Sequence, residues 1–129
     1  MNYKDVFEQL PGSFAIINAE DFTIENHTNF HEKILNAKRE TVVGKPLFER
    51  FPAGEENHIY EALKNVISTK KAYKAKNIRR YDIDGIEKYW SLEYNPVLDS
   101  KDEKVAFVII SSIDITHLVK NNLTLYNVT

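Results

Sequence analysis

Val105 to Thr116 reads VAFVIISSIDIT. Its first six residues, Val105 to Ile110, are all apolar, mostly β-branched, with one aromatic ring at Phe107. That length and composition describe a strand buried on both faces in the middle of a sheet. The run is far too short to cross a membrane, which takes about 20 apolar residues in a helix. Polarity returns at Ser111 and Ser112, and the stretch closes on Asp114-Ile115-Thr116. Leu118, Val119 and Leu123 follow at helical spacing, and Thr116 stands where an N-cap belongs. A central strand therefore hands directly to a helix leaving the domain, the arrangement of an output arm.

Ahead of this stretch, Ala72 to Tyr81 and Ile86 to Val97 read as two long strands joined by Asp82-Ile83-Asp84-Gly85. Asp-Gly between alternating runs is a hairpin signal. A four-residue loop sets Lys74 opposite Glu93 and Arg80 opposite Glu87, both favourable, and Arg79 opposite Lys88, a cost. The other face then carries Tyr73, Asn77, Tyr81, Trp90, Leu92 and Tyr94. Asp99 to Glu103 is the last turn before the central strand. Upstream, Gly54 precedes the clearest helix, Glu55 to Lys71. Ile59, Leu63, Val66 and Ile67 form one apolar stripe on it. Glu55 and Glu56 lie at its positive end, Lys70 and Lys71 at its negative end.

The first part of the chain completes the pattern. Residues 2–10 make a short amphipathic helix with Val6, Phe7 and Leu10 on one face, stopped by Pro11-Gly12. Such a helix either covers a sheet edge or forms a dimer contact. Ser13 to Asn18 is an apolar strand, Ala19-Glu20-Asp21 a turn, and Phe22 to His27 an alternating strand, together a hairpin. Thr28 or Asn29 caps a helix whose apolar face is Phe30, Ile34 and Leu35. Ala37 to Val42 reads as a polar connection, and Leu47, Phe48 and Phe51 as a short aromatic turn closed by Pro52. The order β-β-α-α-α-β-β-β predicts an α+β domain, a five-stranded antiparallel sheet with helices on one face. The expected division is an N-terminal helix at 1–12, the domain at 13–116, and the start of an output helix or linker at 117–129. The polar tail Asn121 to Thr129 suggests a cut just past a domain boundary.

In order and spacing these features resemble the PAS domain, the sensor module of many bacterial signalling histidine kinases. The resemblance rests on Leu10-Pro11-Gly12 before an apolar strand and Val43-Gly44-Lys45-Pro46 before a short aromatic segment. Tyr94-Asn95-Pro96-Val97 before a turn and the terminal Asp114-Ile115-Thr116 complete it. It implies that the first and last strands lie side by side in the sheet centre. It also implies a homodimer, with Val6, Phe7 and Leu10 at the interface, and an output domain such as a kinase in a larger parent chain.

Composition narrows the function classes. At 129 residues the chain is most simply one domain. It has no cysteine, which removes disulfides, thiolate chemistry and Cys-based metal sites. It also removes the cysteinyl-flavin adduct of the light-sensing branch of the resembled family. A net charge of -2 gives no electrostatic case for nucleic acid. The opening MNYKDVFEQL lacks an apolar signal core, so a cytoplasmic protein without direct membrane contact is expected. There is no Gly-rich phosphate loop, nucleophile motif or kinase catalytic motif, and the carboxylates sit in turns and helix ends. The chain itself is therefore not expected to be an enzyme.

His27 and His31 are four residues apart, but a strand-to-helix boundary falls between them and the glutamate of a zincin pair is missing, which favours a structural role over metal binding. His58 lies on the long helix, where the resemblance to haem-binding sensors places an axial ligand; the competing reading is an exposed or capping histidine. Lys70, Lys71, Lys74, Lys76, Arg79 and Arg80 form a basic cluster whose aromatic neighbours fall on the other face, so a solvated, charge-paired surface is expected. The inner face brings Asn77, Tyr81, Trp90 and Ser111 toward Ile34, Leu63 and Ile67, either as a small-molecule pocket or as a filled core. The reading is a sensory domain that binds a small ligand, dimerises, or both, and signals through Asp114, Ile115 and Thr116. The alternatives are a ligand-independent dimerisation module and a small cone-fold α+β enzyme.

Overall fold

The apolar run at 105–110 occupies the middle strand of a five-stranded sheet. The computed structural model describes residues 2–29, 38–49, 57–81, 84–101 and 103–127. In chain order the elements are α1 (Tyr3–Glu8), β1 (Ser13–Asn18), β2 (Ile24–His27), α2 (Arg39–Val42), a 3-10 turn at Leu47–Glu49, α3 (Asn57–Thr69), β3 (Tyr73–Tyr81), β4 (Glu87–Leu98), β5 (Val105–Asp114) and α4 (Thr116–Asn127). The strand order is β2-β1-β5-β4-β3, and each neighbouring pair is antiparallel. The fold is thus α+β, as expected, with β5 flanked by β1 and β4.

One sheet face makes the core. Ala15 and Ile17 of β1, Val108 and Ile110 of β5, and Leu92 and Tyr94 of β4 are buried against Ile59, Leu63 and Val66 of α3, joined by Val42 and Leu47. The α3 stripe recurs every third or fourth residue, so a single helix face meets the sheet. Lys70 ends α3 in the left-handed conformation at φ 60°, its N–H bonded to the Val66 carbonyl at 2.8 Å. The helix expected after a cap at Thr28 or Asn29, with Phe30, Ile34 and Leu35, lies outside the described residues, as do Phe51, Pro52, Gly54, Glu55 and Glu56.

Two strands depart from their expected parity. Between Ala75 and Ile78 the β3–β4 ladder shifts register. On one side of the bulge Lys74 pairs with Glu93, as expected; on the other Arg80 faces Lys88 and Tyr81 faces Glu87. An extra residue in one strand turns every later side chain to the opposite face. Tyr81 therefore leaves the helix-side face and is 63% exposed. In β5 Val105, Val108 and Ile110 are buried, and the alternation from Val108 onward sets Ser112 on the helix side; Ser111 pairs with Phe14 and Glu93 on the other face. The polar connection expected at 37–42 contains α2, and its Val42 is fully buried. Among the described residues no helix is long and apolar enough to cross a membrane.

Candidate functional site

The junction of β5 and α4 is held by a hydrogen-bonded knot. Asp114 ends β5, and its Oδ1 accepts from the Thr116 N–H at 2.9 Å and from the Thr116 hydroxyl at 2.5 Å. The Thr116 Oγ1 in turn accepts from the Tyr89 N–H at 2.9 Å, and the Ile115 N–H donates to the Tyr89 carbonyl at 2.8 Å. Lys88 Nζ lies 3.9 Å from the other Asp114 oxygen. Burial raises the Asp114 pKa, but the two Thr116 hydrogen bonds and Lys88 outweigh it and hold the carboxyl below its usual value. The aspartate is thus partnered, as its position after a buried strand demands. Thr116 departs from expectation. Its hydroxyl does not cap α4; it reaches back to β4 and to Asp114, and the residue is buried. Tyr89 and Lys88 escaped the sequence reading because their place beside Thr116 follows only from the β4–β5 register.

The residues expected to bind a ligand divide between the faces. Leu63 is buried in the core, and Ile67 and Trp90 are partly buried against it on the helix side. Tyr81 and Ser111 lie on the opposite face. Asn77 falls in the β3 bulge, and Ile34 lies outside the described residues. Missing from the sequence reading was a cluster of three rings, Phe22, Phe48 and Tyr60, packed edge to face at 5.6 to 5.8 Å between centroids. It ties the β1–β2 turn and the 3-10 turn to α3. A half-open groove of about 440 Å³ lies at the end of the sheet away from the Asp114 knot. Asn18, Ile67, Lys70, Asp99, Lys104 and Phe107 are among its lining residues.

The three residues expected at a dimer interface sit on or just after α1. Val6 and Leu10 are exposed and Phe7 is half-buried. The sheet face turned away from α3 adds Phe14, Ile16, Phe107 and Ile109, all half-buried, and Ile113, which is exposed.

A family model described as PAS fold matches residues 7–120. The chain belongs to the PAS family. Solved structures agree on the fold. A sensory box sensor histidine kinase from Vibrio cholerae superposes with a TM-score of 0.69 at 18% identity, covering 87% of this chain and 87% of that one. A PAS domain from Colwellia psychrerythraea gives 0.69 at 15% identity, over 88% and 93%. An RNA-binding light-oxygen-voltage receptor gives 0.70 at 17% identity and covers 95% of this chain, which spans 34% of the receptor's length. No curated protein matches the chain. As a PAS domain it is a sensory module resembling those of histidine kinases and light-oxygen-voltage proteins, a class that is generally non-catalytic.

The histidines fall into this PAS frame as follows. His27 is fully buried at the end of β2, its Nδ1 2.9 Å from the Thr28 carbonyl, and His31 lies outside the described residues. His58 is exposed at the start of α3, whereas Ile59, Leu63 and Val66 face the sheet. No cluster of metal-ligating side chains occurs among the described residues. In the basic cluster Lys74 pairs with Glu93 at 4.0 Å, and Lys76 and Arg79 are exposed.

Proposed function

We propose that this PAS domain is the sensing part of a larger cytoplasmic signal-transduction protein, a histidine kinase in the first instance, with the domain at 13–116 and α1 and α4 as its arms. A small ligand on the helix side, bordered by Leu63, Ile67 and Trp90, favours one packing of α3 on the sheet. The population shift passes along β5 to α4. The observation that carries this reading is the knot at Asp114, Thr116 and Tyr89. It joins the central strand, its neighbour and the departing helix through one buried hydroxyl, so the helix cannot tilt without breaking it. Cofactor and kinase chemistry would belong to the ligand and to the parent chain.

A second reading, a ligand-independent homodimerising module, is favoured by the apolar residues Ile16, Phe107, Ile109 and Ile113 on the sheet face opposite α3. The two readings share the output arm. The test is a signalling reporter in the full-length parent, read beside a melting curve of this domain. Asp114→Ala and Thr116→Val should leave the melting transition within a few degrees while uncoupling stimulus from output. Normal signalling in both variants would show that the junction is only a covalent connection.

A further inference from the structure

Helix α1 is docked through a charged side chain as well as an apolar one. None of its residues is buried, and Val6 and Leu10 are 46% and 38% exposed. Phe7 and Glu8 are the residues turned inward, and the Glu8 side chain keeps 15% exposure. Glu8 Oε1 accepts from Asn26 Nδ2 of β2 at 3.4 Å, and Glu8 Oε2 lies 3.6 Å from Arg39 Nη1 of α2. Arg39, itself 16% exposed, donates from Nε to the His27 carbonyl at 3.2 Å. Around them the end of β2 is buried and polar. Thr28 donates to the Gly12 carbonyl at 2.6 Å and accepts from the Phe14 N–H at 3.2 Å. Ser13, Asn26, His27 and Thr28 are all buried here.

We propose that Glu8 and Arg39 form a latch through which the helix layer sets the position of the N-terminal arm. Asn26 pairs with Ile16 on the face away from the core, so α1 lies on that side of β2. Val42, three residues after Arg39 on α2, is part of the core on the other side. β2 is an edge strand, and the Arg39 guanidinium reaches from the His27 carbonyl at its end to Glu8 of α1. A shift of α2 over β2 draws the guanidinium from the carboxylate. A six-residue helix is too short to stand alone, so α1 then comes free with its apolar side chains. Glu8 keeps little exposure, and removing the Arg39 guanidinium takes that counter-ion from its carboxylate in a poorly solvated place. The latch is therefore close to two-state. What moves α2 in the cell rests on the sensory reading above; the latch itself does not, because it is tested on this chain alone.

The experiment is amide hydrogen exchange by NMR on the whole chain, comparing wild type, Glu8→Gln, Arg39→Lys and the double variant. The amides of Val6, Gln9 and Leu10 report on α1 because each donates within this segment. Lysine keeps the charge of Arg39 but cannot serve the Glu8 carboxylate and the His27 carbonyl together. Each single variant should speed exchange in α1 by about tenfold or more with α3 and β5 unchanged, as local opening requires. The double variant should exchange no faster than the faster single. Wild-type exchange in α1, a rise only in step with α3 and β5, or a double effect equal to the product of the two singles would overturn the latch.

Discussion

Asp114 shows how one side chain can belong to two elements. Its carboxylate accepts both the backbone and the hydroxyl proton of Thr116, and Lys88 stands near its second oxygen. Burial works against the charge, but these partners favour it more, so the carboxyl titrates below its ordinary value in the folded chain. The sign follows by linkage. A carboxyl with a depressed folded pKa stabilises the fold fully above its unfolded pKa, and that contribution is lost as pH falls through the folded one. The junction is thus intact at neutral pH and loosens only in acid, below the normal carboxylate range. An NMR titration should place the Asp114 midpoint below 3.8, the ordinary value, and Thr116→Val should move it upward by removing the hydroxyl donor. A midpoint that stays put in the variant would mean that Lys88 or the backbone N–H alone holds the charge.

At the scale of elements, legibility followed periodicity. The stripe Ile59, Leu63, Val66 repeats at the helical period and docks as read. The run Val105 to Ile110 announced a central strand, but an unbroken apolar run carries no parity, so Ser111 and Ser112 could not be assigned to faces until the register with β1 and β4 was known. The β3 bulge was equally silent in the sequence, and it moved Tyr81 across the sheet. The site suffered more than the fold, because a fold tolerates a one-residue slip that a binding wall does not. Helix α1 was legible as an amphipathic segment, but not as one that turns Glu8 inward and leaves Val6 and Leu10 exposed. That orientation bears on association. Exposed apolar side chains on a helix too short to be stable alone gain most from a second chain. Light scattering should find a dimer for the whole chain and a loss of dimer for a version starting at Pro11. If the shortened version keeps the dimer mass, the interface lies elsewhere.

The whole molecule is a single sheet with unlike faces. Toward α3 the face is the core: Val108 is fully buried, between Ile17 on β1 and Pro96 on β4. Away from α3 the face carries half-buried Phe14, Ile16, Phe107 and Ile109 and ends at Ile113, 62% exposed. α1 and α4 join the sheet at the same end, where Ser13 pairs with Ser112, one lying beside edge strand β2 and the other beside β4. A charge placed on each face separates what holds the fold from what the fold offers to partners. Val108→Asp buries a carboxylate with no counter-ion in the middle of the sheet and should cost several kcal/mol, on the order of the whole stability of a domain this size. The expected result is loss of the cooperative melting transition. Ile113→Asp, five residues along the same strand but on the other face, meets solvent and should leave that transition nearly unchanged. If this face joins a second copy, the Ile113→Asp charge has to be desolvated in the dimer, and the dimer should weaken by about tenfold or more. A folded Val108→Asp protein with an unaltered melting temperature would contradict the central-strand core. A folded Ile113→Asp protein with undiminished dimer affinity would restrict association to α1.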